Sequence, residues 1–190
     1  MIRKLRYDEL ALQRLSQEQA LNIERHPISL LLHNIRSLYN VGSLFRTADA
    51  ALVEKIYLCG YTPTPPRKEI EKTALGAVHT VPWEYGNDTC SVIRLLQQEH
   101  IKVWALELTT QSRSVYDFES DDFPMCLVVG NEITGVDDAV LRACNGAVAI
   151  PMYGVKHSLN VAVAAGIAVF EAVRRWHSVR NLIRSDVKSI

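Results

Sequence analysis

The sequence predicts an α/β protein built on an open, mostly parallel sheet with helices on both faces. Three observations lead there. Short, nearly continuous apolar runs recur at 28–32, 55–59, 126–129 and 147–150, as strands buried on both faces require. The stretches between several of them carry the three-to-four spacing of amphipathic helices. Strand and helix therefore alternate, and long helical connections favour parallel pairing.

Asp8 to about Glu24 reads as an amphipathic helix, with Leu10, Leu12, Leu15 and Leu21 among polar residues, closed by His26-Pro27. Ile28–Leu32 is the first buried strand. Asn40–Leu52 returns to helical spacing through Val41, Leu44, Phe45, Ala48 and Ala51, with Asn40 suited to cap it and Arg46 in its second turn. Lys55–Cys59 is the second strand, stopped by Gly60. Thr62-Pro63-Thr64-Pro65-Pro66 is loop, because proline denies the ladder its donor. Asp88 caps a helix to about His100, and Lys102–Leu108 is a strand. Ser112–Pro124 is acidic loop, Cys126–Val129 a strand, Asp137–Cys144 a short helix and Ala147–Ile150 a strand. A final helix runs from near Ser158 to about His177.

At 190 residues the chain suits one domain with a sizeable core. We divide it into an N-terminal helical extension (1–27), one α/β domain (28–177) and a basic C-terminal tail (178–190). Twenty-one Lys and Arg balance 21 Asp and Glu, which argues against a nonspecific polyanion binder but leaves room for a local basic face. Arg3, Lys4 and Arg6 open the chain, and Arg174, Arg175, Arg180, Arg184 and Lys188 crowd its end. The 4 cysteines are widely separated and the 6 histidines lack ligand spacing, so reduced core thiols and no metal site are expected. No apolar signal core follows Met1–Lys4 and no run approaches a membrane span, so a cytoplasmic protein is expected.

Three segments put polar residues where an apolar core is expected. The first, Asn34 to Ala50, leaves a buried strand and enters a helix with Asn40 and Arg46. The second, Gly130-Asn131-Glu132-Ile133-Thr134-Gly135, follows a buried strand, and its glycines allow close backbone approach. It has P-loop glycine spacing without the following lysine, and no GxGxxG opens the first helix, so an ordinary nucleotide fold loses weight. The third, Ile150-Pro151-Met152 and then Ser158-Leu159-Asn160, precedes Val161–Phe170, a helix apolar nearly all round that must be buried on most sides. Each segment alone also reads as a plain strand-to-helix turn. Carboxyl ends of parallel strands are nonetheless where open α/β sheets bind ligands.

In joint order and spacing these segments resemble the SPOUT methyltransferases, specifically the TrmH (SpoU) branch of RNA ribose 2′-O-methyltransferases. Asn40 with Arg46 six residues on resembles that branch's first motif. Gly130, Glu132 and Gly135 resemble its second. Ile150-Pro151-Met152 with Ser158-Leu159-Asn160-Val161 resembles its third. The likeness covers roughly residues 28–175.

The resemblance implies a deep trefoil knot in the C-terminal part of the sheet, a topology otherwise essentially absent from proteins. It implies S-adenosylmethionine as cofactor, RNA as substrate and a homodimer formed through the first motif and the final helix. Carried over, Leu108, Gly130, Ile150, Ser158 and Leu159 hold the adenosine, with Leu106 or Thr109 as replacements for Leu108. Asn40, Arg46, Glu132, Ser158 and Asn160 match the catalytic set. The family role of Arg46 is to activate the ribose hydroxyl. A guanidinium is almost never deprotonated in proteins, so the alternative is that a neighbouring phosphate takes the proton while Arg46 stabilises the oxygen. Glu132 either orients Arg46 or acts as base. Asn40, Ser158 and Asn160 position groups.

Reading a 2′-OH explains RNA rather than DNA as substrate. The short N-terminal extension and Lys72-Thr73-Ala74-Leu75-Gly76-Ala77, which resembles transfer-RNA members, favour transfer RNA. Ala162 departs from the Ser often found two residues after the third motif's Asn. Alternatives are a ribosomal-RNA 2′-O-methyltransferase, an RNA base N-methyltransferase, and an inactive RNA-binding factor of the same fold. Asn40 with Arg46 argues for ribose chemistry, and the intact motifs argue for turnover.

Overall fold

The structure, a computed structural model, describes residues 2–12 and 14–187. Its strands are β1 (Ile28–His33), β2 (Ile56–Cys59), β3 (Trp83–Gly86), β4 (Lys102–Leu106), β5 (Arg113–Ser114), β6 (Met125–Val129) and β7 (Gly146–Ala149). They lie side by side in the order β3-β2-β1-β6-β4-β7-β5, every neighbouring pair parallel. β1 is buried at every position because both faces of the sheet are covered. Its alternate residues feed two cores. Leu30 and Leu32 pack with Leu44, Phe45, Ala48, Ala168 and Val169, and Leu31 packs with Ile93, Leu96, Val128 and Val140.

Three helices therefore cover one face: α3 (Leu38–Ala50), α4 (Lys68–Ala74) and α7 (Val161–Val187). Two cover the other: α5 (Thr89–Gln98), capped by Asp88, and α6 (Asp138–Ala143). Buried His33 at the end of β1 bridges Thr89 Oγ1 (2.8 Å) and Asp137 Oδ2 (2.9 Å), tying the starts of α5 and α6 to the central strand.

Several expectations are corrected. The N-terminal helix is two short ones, α1 (Tyr7–Leu12) and α2 (Gln17–Asn22), because Ser16 starts the second with a reciprocal capping box to Gln19. Ser37, not Asn40, caps α3, its hydroxyl accepting from the Asn40 N–H at 3.2 Å. Arg46 therefore lies in the third turn. The strand expected to reach Leu108 ends at Leu106. α7 continues through Val187, so the stretch from 178 to 187 is helical. Of the basic end, Lys188 and the side chain of Arg184 lie outside the described residues. β3 and α4 have no counterpart in the sequence reading. β3 is an edge strand only partly buried, and α4 buries just Ile70 and Ala74, too few positions to show a period.

Within one protomer α7 is covered along one side only. Ala165, Ala168, Val169 and Ala172 are buried against the sheet, yet Val163, Ile167 and Phe170 are 52%, 36% and 51% exposed along one stripe. All four cysteines are free, and burial pushes the Cys59 and Cys144 thiols up to about 12, which suits inert core residues. Among the described residues no helix is long and apolar enough to cross a membrane.

The N-terminal segment is pinned by Arg25, whose guanidinium donates to the carbonyls of Ala20, Val53 and Thr80. Arg25→Ala should cost about 1–3 kcal/mol, as expected for charge-assisted hydrogen bonds, and release α2 to proteolysis ahead of the sheet. Unchanged melting and cleavage would show that the apolar contacts of Ala20 alone hold it.

Candidate functional site

The strand order explains why three segments far apart in sequence meet. β1, β6, β4 and β7 are consecutive neighbours, so their carboxyl ends line up along one edge. The order in which strands are added to the sheet also reverses there, since β2 lies on one side of β1 and β6 on the other.

A cavity of about 490 Å³ opens at that edge. It is lined by Leu108 after β4, Gly130 and Glu132 after β6, Ile150 after β7, and Ser158, Leu159 and Asn160 before α7. All five expected adenosine contacts are thus brought together. The alternative Leu106 lines the cavity as well, whereas Thr109 does not. The size falls within the range of small-molecule sites.

The three motifs are joined through a chain of polar contacts. The Glu132 carboxylate accepts from the backbone N–H groups of Arg36 and Ser37 (both 3.0 Å) and from Asn40 Nδ2 (2.9 Å). Asn40 Oδ1 in turn accepts from Asn160 Nδ2 at 3.2 Å. Asn160 Oδ1 accepts from the N–H groups of Ala162 (2.9 Å) and Val163 (3.4 Å), capping α7. One carboxylate and two amides therefore hold the starts of α3 and α7 against the loop after β6.

Burial alone would raise the Glu132 carboxyl, but donors from Arg36, Asn40 and Ser37 outweigh it and hold the group below the usual carboxylate range. The sign follows. This anchoring is complete above the ordinary glutamate value and is lost only as pH falls through the depressed one. A carboxylate so held is a poor proton acceptor at neutral pH, where a base should titrate near the working pH.

Within one protomer Glu132 makes no contact with Arg46. Six residues at 100° each place Arg46 about 120° around α3 from Asn40 and about 9 Å further along it. Its exposed side chain faces a second depression of about 440 Å³, with Ser43, Thr47, Ala50, Lys72, Thr73 and Phe170. Among the described residues Arg46 has no ion-pair partner. Ser158 lies exposed on the cavity rim.

Two contributors escaped the sequence reading. Glu107 lines the cavity and accepts from the N–H groups of Leu108 (2.9 Å) and Val136 (3.0 Å), clamping the loop after β4 to the loop after β6. Its acid inside an apolar strand run was the available signal. Asn131 donates to the Asn34 carbonyl and Tyr61 Oη (both 2.9 Å), and its Oδ1 accepts from Ile133 and Thr134, shaping the second motif from within.

Gly130 has a different reason from the one the cavity alone would give. A Cβ there would run into the backbone of Gly135 and Val136, not into open space. Gly130→Ala should therefore spread the loop and weaken S-adenosylmethionine binding about tenfold or more, the scale of a strained core contact. Isothermal titration showing undiminished affinity would mean the cofactor sits elsewhere.

Comparison with known proteins finds matches to a family model, to relatives of known sequence and to solved structures. The model of the SpoU rRNA Methylase family matches residues 27–170. The chain is 34% identical over 155 residues to the 23S rRNA (guanosine-2′-O-)-methyltransferase RlmB of Ralstonia nicotianae, covering 80% of this chain and 61% of that relative. It thus spans about three fifths of that relative's length. It is 31% identical over 160 residues to the tRNA (guanosine(18)-2′-O)-methyltransferase of Thermus thermophilus, covering 83% of this chain and 80% of the other. The fold is similar to the SpoU methyltransferase AviRb from Streptomyces viridochromogenes in complex with AdoMet, with a TM-score of 0.74, 25% identity, and 83% and 64% of the two chains covered.

Proposed function

The chain belongs to the SpoU methylase family, and from that membership we propose that it methylates a ribose 2′-OH of RNA, transfer RNA before ribosomal RNA, using S-adenosylmethionine. The observation that carries this reading is the chain of contacts from Glu132 through Asn40 to Asn160, which joins all three motifs at the rim of one cavity. The family's deep C-terminal trefoil knot belongs to the same proposal.

The residues present fit the cofactor. Leu108, Ile150 and Leu159 offer apolar surface to a purine, and the glycine-bounded loop 130–135 brings backbone close to it. Glu107 and Glu132 set two carboxylates on a cavity meant for a cationic sulfonium. When bound, the cofactor supplies an electrophilic methyl group. The protein's own task is then to orient the hydroxyl and stabilise its oxygen as the proton leaves. Asn40 and Asn160 hold the frame, Ser158 donates at the rim, and Arg46 grips the phosphate beside the ribose.

Arg46 and the cavity face different sides of one protomer. Along α7, Ala164 on the cavity wall and Phe170 beside Arg46 stand six residues apart, about 9 Å. The open stripe of Val163, Ile167 and Phe170 ends at the Arg46 depression. A second copy packed on that stripe would bury it and carry Arg46 to the partner's cavity, so a homodimer completes the site.

The test is methyl transfer from radiolabelled cofactor to transfer-RNA and ribosomal-RNA transcripts, with nuclease digestion to identify the product. A 2′-O-methyl nucleoside from transfer RNA is expected. Product only from ribosomal RNA overturns the preference, a methylated base overturns the chemistry, and no product on either RNA overturns the activity. Sedimentation as a monomer at micromolar concentration overturns the dimer.

A further inference from the structure

We propose that the depression between α3 and α4 is a phosphodiester-binding subsite for the RNA backbone, in which Lys72 is the second cation beside Arg46. This rests on the reading of the protein as an RNA methyltransferase and adds to it a residue outside the three motifs.

The lining is chemically one-sided. Arg46 and Lys72 bring donors without acceptors, Ser43 adds a hydroxyl, and no carboxylate lines the depression. That is notable in a chain whose 21 cations balance 21 acids. The acids nearest in sequence are turned elsewhere. Asp49 accepts from Thr80 Oγ1 at 2.5 Å, and neither Glu69 nor Glu71 lines the depression. Lys72 is exposed, and among the described residues it has no ion-pair partner. Two cations left together without an acid are ready to take an anion.

The pair is also held in place. Gly42 lets α4 lie directly on α3, since a Cβ there would meet Thr73 Oγ1 and the Ile70 carbonyl. Thr73 Oγ1 donates to the Tyr39 carbonyl at 3.1 Å. The backbone of Lys72, next to Thr73, is thereby held on α3, so that Lys72 lines the same depression as Arg46, one turn beyond Gly42. Phe170 of α7 closes the far side and makes the depression continuous with the stripe assigned to the second copy. In the dimer the two cations of one protomer would flank the ribose presented to the cofactor of the other. A phosphate group repeated along a polynucleotide suits such a pair, with Lys72 acting as a point charge.

The experiment measures transfer-RNA transcript binding by intact dimers at several salt concentrations, alongside steady-state methylation. Lys72→Ala should reduce the magnitude of the slope of log affinity against log salt by about 0.7–0.9, one phosphate contact. The KM for RNA should rise several-fold while kcat changes little, and Lys72→Arg should restore both. Lys72→Glu should weaken binding further, S-adenosylmethionine affinity should not move, and Lys102→Ala, exposed at the amino end of β4 and outside the depression, serves as control. Inorganic phosphate added at constant ionic strength separates a pocket for the free anion, which it would block, from a backbone contact, which it would hardly disturb. An unchanged slope and KM in Lys72→Glu overturns the subsite, as does wild-type RNA binding that is independent of salt. If the wild type binds RNA but methylates none, while Lys72→Ala still lowers the slope, the subsite stands and the activity falls.

Discussion

Arg46→Ala should lower methyl transfer roughly a hundredfold or more while leaving S-adenosylmethionine affinity where it was. The side chain is exposed on α3 and lies outside the cofactor cavity, so its loss leaves the cofactor's surroundings intact. Stability should stay within about 0.5 kcal/mol of the parent, the usual range for a surface position with few contacts. A fall in turnover at constant fold and cofactor affinity therefore isolates the reacting oxygen and its phosphate. Arg46→Lys divides that role further. Lysine keeps the charge and loses the planar fork, so failure to rescue identifies bidentate phosphate holding, and rescue identifies charge alone. Near-normal turnover in Arg46→Ala removes the residue from the reaction, and with it the main argument for ribose over base.

Mixing two impaired chains, with S-adenosylmethionine held well below the weakened Kd of Gly130→Ala, should restore activity. Arg46→Ala keeps the cavity and loses the guanidinium, while Gly130→Ala keeps the guanidinium and spoils the cavity loop. If a site takes Arg46 from one protomer and cofactor from the other, each mixed dimer contains one complete site. Random exchange of chains then regains about a quarter of parental turnover, since half the dimers are mixed and half of their sites are whole. If each protomer carries a complete site by itself, the mixture stays as inactive as its components. Native mass spectrometry reports whether exchange occurred. The outcome decides whether the stripe of Val163, Ile167 and Phe170 serves catalysis or only association.

Sheet and helix alternation was readable because a strand covered on both faces is largely apolar: β6 is so throughout, and β1 departs from it only at Ser29 and His33. Asp88 announced α5 because a cap is a local interaction, complete within three residues. The site's loops were readable for a related reason. Glycine, acid and amide at the end of an apolar run have no use in a core, so Gly130, Glu132 and Asn160 stood out. The failures share a cause as well. Ser37 and Asn40 are both good caps, and the choice fell to Ser37 because Glu132, 92 residues beyond Asn40, claims that amide. Glu107 reads as a strand residue because its distant partner, Val136, reaches it only where β4 and β6 pair.

The amino-acid sequence by itself determined the class of fold, the three motifs that meet at the cavity and the family to which they belong, since each depends on side-chain chemistry at short spacing. Only the tertiary structure decided how those residues are paired. It set β6 between β1 and β4, which brings Glu132 to the start of α3, and turned Arg46 away from the cavity towards Lys72. The reason is geometric. Neighbours across a sheet are chosen by global packing, and the turn of a helix sends residues six apart to different sides.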